Sequence, residues 1–206
     1  MITIIDCGLG NLSSIKNMLS YLGVESIISS DKKEIERASK LILPGVGSFD
    51  TGMKNLKQLN LISLIKEKVL MDKTPILGIC LGAQLLLERS DEGIEKGLAL
   101  VNGEVCSFSK TLKKGNINLP VPNMGWRDVK FNNEEELKFK STPSKFYFVH
   151  SFYFELEDKN LLWNNSNYGF EFCSGFKKDN VFGVQFHPEK SHQYGMQILK
   201  YFVNYV

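Results

Sequence analysis

A chain of 206 residues with 43% hydrophobic and 23% charged residues can bury one substantial core, and a single domain over residues 1–206 is expected. The net charge of +2, with arginine only at positions 37, 89 and 127, gives no basic stripe for a nucleic acid. No stretch approaches the roughly 18 apolar residues of a membrane span, and the four scattered cysteines contain no CxxC pair, so a metal site, a disulfide framework and a membrane are not expected and a reduced cytoplasmic setting is.

The first half alternates short β-branched runs with helical patterns. ITII (2–5) reads as a strand and NLSSIKNMLSYLG (11–23) as a helix with Gly23 past its end. VESII (24–28) is the next strand, and DKKEIERAS (31–39) a short helix opening on Asp31. KLIL (40–43) is a third strand, followed by PGVGSFD and an apolar-periodic helix to about residue 70. PILGI (75–79) is a fourth strand and LGAQLLLERS (81–90) a helix. Strands alternating with helices predict a three-layer α/β/α fold with a largely parallel central sheet.

Beyond residue 98 the pattern changes. The runs FYFVHSFYFEL (146–156), GFEFCSGFK (169–177) and NVFGVQFH (180–187) predict antiparallel strands added to the same sheet. NNEEELKFK (132–140) reads as a solvated turn or short helix. The last segment carries Ile198, Leu199, Phe202, Val203 and Val206 at helical spacing, predicting a helix that packs on the sheet.

Cys80 stands at the end of the fourth strand, where open α/β sheets bind ligands. The helix beginning at Leu81 aims its N–H groups at the sulfur, which favours a thiolate and places the Leu81 N–H to receive an oxyanion. A tight strand–nucleophile–helix elbow gives a reason for glycine at 78 and 82; a buried cysteine in a βα loop is the competing reading. His187 with Glu189 two residues on supplies a base and its orienting carboxylate. The rival base His150 has no neighbouring carboxylate, and His192 reads as solvated. Gly45 and Gly47 around Val46 let the backbone turn N–H groups toward an anion, as a nest or half an oxyanion hole. A phosphate loop is the weaker alternative, and DCGLGN (6–11) reads as a plain strand-to-helix turn.

Taken together, GICLGAQ, QFHPE and PGVGSF resemble the class I (triad) glutamine amidotransferases, and the resemblance spans the chain. It implies Cys80 as nucleophile, His187 as base and Glu189 as its orienter, with Val46 and Leu81 as oxyanion donors. It also implies glutamine contacts from Gly47, Gln84, His150, Ser151 and Phe152, and no cofactor. Within the family, DCGLGNLSS, MGW, FYFVHSF and GVQFHPEKS are most similar to the glutaminase subunits of imidazole glycerol phosphate synthases. Those imply a (β/α)8-barrel cyclase partner, met near Asn11, Met124, Trp126, Tyr147 and Lys190, with ammonia passed to it; core packing is the plainer role for the aromatic members.

Two departures stand out: PNMGWRD where the family has PHMGWN, which puts Asn123 and Arg127 at positions expected to face the partner, and HSF where H-[ST]-Y is common. They keep open a related glutaminase that feeds amidination of a bacterial surface sugar. A stand-alone cysteine hydrolase or peptidase, and a binding module that has kept only the fold, are the further alternatives.

Overall fold

The computed structural model describes residues 1–132, 137 and 144–205. The segment 132–140 therefore falls mostly outside the described residues, although Leu137 within it is buried. Strand β1 (Ile2–Ile5), helix α1 (Leu12–Tyr21), β2 (Ser26–Ser29), α2 (Lys32–Glu36) and β3 (Lys40–Gly45) follow the expected alternation. Asn11 caps α1 by accepting the Ser14 N–H, and Asp31 caps α2 by accepting from Lys33 and Glu34.

The single helix expected up to residue 70 is instead two, α3 (Phe49–Gln58) and α4 (Ile62–Leu70). Asn60 takes φ +54, and the N–H groups of Leu59, Asn60 and Leu61 close back on Asn55, Lys57 and Leu56. Asparagine tolerates this left-handed turn, which ends the helix. After β4 (Ile76–Cys80), helix α5 is short (Leu81–Leu85), not ten residues long. The chain tightens at Leu86 and Leu87, and Arg89–Ser90 becomes β5, paired parallel with β6 (Gly103–Ser107).

The second half continues with α6 (Phe108–Lys114), β7 (Asn123–Phe131), β8 (Ser144–His150), β9 (Phe152–Leu156), β10 (Leu162–Asn167), β11 (Glu171–Lys178), β12 (Val181–Val184) and α7 (His192–Asn204). The aromatic run 146–156 is thus two strands parted at Ser151, and the last strand ends at Val184, three residues before His187.

All twelve strands form one sheet, with the path β2-β1-β3-β4-β12-β11-β10-β7-β8 and a branch through β9 and β6 to β5. Its core of β2, β1, β3, β4 and β12 is parallel, while β11, β10, β7, β8 and β9 pair antiparallel. Parallel strands buried on both faces need apolar side chains throughout, as ITII, LIL and IL–I supply. One face packs on Ile35, Phe49, Met53, Leu56, Ile65, Val69, Leu81 and Leu85 from α2 to α5. The other packs on Ile15, Leu19, Phe108, Leu112, Ile198, Leu199 and Phe202 from α1, α6 and α7. Helices on both faces make the three layers.

Candidate active site

Cys80 ends β4 and begins α5 with φ +54 and ψ −113, a conformation a side-chain-bearing residue holds only under constraint. The constraint is close packing of α5 on two strands. A Cβ on Gly82 would stand 1.7 Å from the Leu43 carbonyl oxygen of β3, and one on Gly78 would stand 2.5 Å from Ala83 Cα. Only glycine lets the helix start so close to the sheet, and the start so placed turns the thiol out of the strand. Cys80 is 7% exposed. The first N–H groups of α5, Leu81 among them, have no acceptor within the helix.

β3 and β4 run in register with Gly45 opposite Cys80, so Val46 and Gly47 leave the sheet directly beside the nucleophile. Val46 is exposed, and Gly47 has φ +117. The 6–11 loop leans on this segment: a Cβ on Gly10 would touch Gly45 and Pro44, and Leu9 lies against Gly47. Just beyond, the Phe49 N–H donates to Glu92 Oε2 at 2.7 Å, which sets a carboxylate at the start of α3. Sequence reasoning did not single out Glu92, which reads there as one more surface acid.

His187 arrives from the far end of the chain, because β12 lies parallel beside β4 with Val184 opposite Ile79. Its backbone N–H donates to the Tyr147 carbonyl, and its ring Nδ1 meets Glu189 Oε1 at 2.7 Å. Both side chains are almost wholly buried. The other ring nitrogen, Nε2, has no partner at ordinary hydrogen-bond geometry; the thiol of Cys80 is what it interacts with. Burial alone would pull the His187 pKa down, but Cys80 and then Glu189 outweigh it and hold the ring above its ordinary value. A ring oriented by a carboxylate and open toward a thiol is the arrangement of a nucleophile, a base and an orienter.

A second link to the thiol was not anticipated. Gln185 donates to Cys80 Sγ at 3.5 Å and accepts from Gln84 Nε2 at 3.0 Å, with both amides buried. Gln84 therefore reaches the nucleophile through Gln185; the one signal for it is a polar residue inside the apolar run VFGVQF.

His150 lies elsewhere, so the two candidate bases separate cleanly. Its Nδ1 meets the Phe152 carbonyl at 2.6 Å and its Nε2 meets Asn123 Nδ2 at 3.0 Å. Burial is the main cause pushing its pKa down to about 4, the Phe152 carbonyl opposing and the charges of His187 and Arg127 adding to it. The ring is neutral, and both nitrogens are engaged within the chain. The neighbouring Ser151 carbonyl is engaged as well, accepting the Phe108 N–H at 3.0 Å.

Met124, Trp126, Tyr147 and Lys190 gather on one outer face. Trp126 and Tyr147 are cross-strand partners on β7 and β8, with rings 6.2 Å apart, and Lys190 Nζ lies 5.6 Å from the Tyr147 ring centre. Met124 and Trp126 are 56% and 41% exposed. His192 is exposed, as its polar setting suggested, but it also stacks on Trp126 at 5.5 Å with the planes 9° apart. Asn11, the cap of α1, is exposed.

Asn123 and Arg127 do not share that face. Side chains alternate across a strand, so the odd-numbered positions of β7 turn inward when Met124 and Trp126 turn out. Asn123 is fully buried and Arg127 half-buried over the Tyr168 ring, 5.0 Å from its centre.

This chain matches the glutamine amidotransferase class-I family over residues 3–205 and belongs to it; it is a glutamine amidotransferase. Its relatives include the imidazole glycerol phosphate synthase subunit HisH 2 of Methanococcus maripaludis, 48% identical with 98% of each chain covered. The protein of the same name from Pseudomonas aeruginosa is 42% identical over the whole of both chains. A solved glutamine amidotransferase superposes with a TM-score of 0.76 over 98% of this chain and 97% of its own, at 18% identity, which confirms the fold. No helix among the described residues is long and apolar enough to cross a membrane.

Proposed function

We propose that this single-domain chain is the cytoplasmic glutaminase subunit of an imidazole glycerol phosphate synthase, serving histidine biosynthesis by handing ammonia to a (β/α)8-barrel cyclase. The observation that carries the reading is the buried His187–Glu189 pair, with the free ring nitrogen turned to the Cys80 elbow.

In this mechanism the Cys80 proton passes to His187 Nε2 and the sulfur attacks the side-chain amide carbon of glutamine. The N–H groups of Val46 and Leu81 receive the oxyanion, one from each side of the Gly45–Cys80 register. His187 then protonates the leaving nitrogen, ammonia departs, and the same ring activates the water that cleaves the thioester to glutamate. Glu189 keeps the imidazole oriented throughout. Gly47, Gln84 and the His150–Phe152 segment shape the glutamine site, and Glu92 at the start of α3 offers negative charge for the α-ammonium group.

The face of Met124, Trp126, Tyr147 and Lys190, with Asn11 beyond it, meets the cyclase. An exposed apolar patch with polar surroundings suits a docking surface rather than bulk water.

The test pairs the purified chain with a cyclase barrel and follows glutamate release from glutamine. Cys80→Ala should lower kcat by at least about a thousandfold while leaving the complex assembled. Wild-type turnover by that variant would sink the assignment.

A further inference from the structure

Asn123 and Arg127, where the chain departs from its family's pattern, form one continuous hydrogen-bond chain that ends in the glutamine-site segment. Arg127 Nε donates to Asn123 Oδ1 at 3.0 Å, Asn123 Nδ2 lies 3.0 Å from His150 Nε2, and His150 Nδ1 lies 2.6 Å from the Phe152 carbonyl. Asn123 is fully buried and His150 is 5% exposed, so water does not compete for these links. The Arg127 guanidinium also reaches the carbonyls of Trp126 and Met124, the two residues that present the outer apolar patch.

The chain has a direction, and its two ends agree on it: the Phe152 carbonyl only accepts, which puts the ring proton on Nδ1. A guanidinium only donates, so the Asn123 amide must turn its oxygen to Arg127 and its NH2 to His150. That leaves His150 Nε2 as the acceptor and puts the ring proton on Nδ1, the one tautomer that can donate to the Phe152 carbonyl. A reversed amide would set its oxygen against the Nε2 lone pair. A ring protonated there in response would set the Nδ1 lone pair against the Phe152 carbonyl. The cation beside the patch thus locks the Asn123 amide in the one orientation that donates to the ring.

We propose that Arg127 and Asn123 are positioning residues that hold the His150 ring in place and, through it, the Ser151–Phe152 segment beside the glutamine site, linking the partner-facing strand to substrate recognition. The proposal rests on the glutaminase reading for its kinetic consequence, though not for its structural one.

The experiment uses the chain with its cyclase barrel, 15N-labelled at histidine, and reads three quantities for each variant: glutamine KM and kcat, the His150 ring-nitrogen shifts, and the rate of Cys80 alkylation by iodoacetamide. Arg127→Met keeps the aliphatic stem over Tyr168 and removes every donor. It should raise KM about tenfold with kcat within about twofold, and shift the His150 Nε2 signal as the hydrogen bond from Asn123 loosens. Alkylation should stay at the wild-type rate, since that reagent does not use the Ser151–Phe152 backbone.

Arg127→Lys restores a donor and should bring KM back to within about threefold of wild type. Asn123→Leu, which severs the chain at its middle, should act at least as strongly as Arg127→Met; should that buried site fail to fold, the two arginine variants decide the matter alone. Unchanged KM and unchanged His150 ring-nitrogen shifts in Arg127→Met would overturn the proposal. So would a rise in KM that Arg127→Lys does not relieve. A wild-type complex that leaves glutamine intact, with the His150 shifts responding in Arg127→Met as described, would sink the glutaminase reading and leave the positioning chain standing.

Discussion

His187 and His150 are buried to nearly the same degree, one just past β12 and the other at the end of β8 in the same sheet, yet their environments push them in opposite directions. Burial opposes a charge on both. His187 overcomes it because its two nitrogens address a carboxylate and a thiol; His150 does not, because its nitrogens address an amide and a carbonyl. What separates a histidine whose pKa is raised from one held neutral is therefore two atoms of neighbouring chemistry rather than depth. The wider contrast is between the parallel core, which holds the nucleophile by steric closeness, and the antiparallel extension, which holds its histidine by directed hydrogen bonds.

The sharpest way to break the first side of that contrast is a single methyl group. Gly82→Ala puts a Cβ 1.7 Å from the Leu43 carbonyl, so α5 must leave β3 or the elbow must unfold. A loss of about 3–5 kcal/mol is expected, read by denaturant unfolding, together with loss of thiol reactivity. An alanine variant of full stability would show that the elbow is not held by steric closeness.

Next in size is the dependence of stability on pH, which the two histidines should make lopsided. His150 has a lowered pKa, so it contributes stability that is present above about pH 6.5 and is lost as the pH falls toward about 4. Its share of that loss is up to about 3 kcal/mol, and His150→Gln should flatten this acid limb. His187 has a raised pKa, so its contribution is full below about pH 6.5 and fades only as the pH climbs well above that. Because the sulfur is the larger of its two raising influences, Cys80→Ala should move the His187 titration downward. A His187 titration unmoved by that change would mean that the thiol and the ring do not interact.

The smallest expected effect sits where the two regions join. The Ser191 hydroxyl donates to the His187 carbonyl at 2.6 Å and accepts the Tyr147 N–H at 3.0 Å, clamping the catalytic turn to β8. Ser191→Ala should cost about 1–2 kcal/mol in unfolding experiments and slow glutamine turnover more than it weakens glutamine binding. An equal fall in both would place Ser191 in general stability rather than at the join.

The parallel core was the more legible of the two regions, for a physical reason. Strands covered on both faces must be apolar at every position, so ITII, KLIL and PILGI stand out, and the elbow announces itself by glycines that nothing else explains. The His187–Glu189 contact was legible because a carboxylate two residues from a histidine is a local pattern. What was hidden depends on distant partners or on alternation. Asn60 gives no sign in sequence that it will take a left-handed turn and split a helix. Leu86 and Leu87 look helical, but pack as an irregular turn under Leu98–Val101. β7 went unseen because Asn123 and Arg127, polar residues on its inner face, blur the period of two. Gln185 finds its meaning in Gln84 and Cys80, 101 and 105 residues away.

The chain has two tryptophans, and the fold has put them in opposite circumstances. Trp163 is buried against Phe131, Phe182 and Tyr201, while Trp126 lies on the outer face against His192 and Tyr147. The molecule thus carries its own optical pair, a sheltered reference and a surface reporter. Covering that face would shift the emission of Trp126 to shorter wavelength and shield it from iodide, while Trp163 held constant, so docking can be watched without attaching a dye.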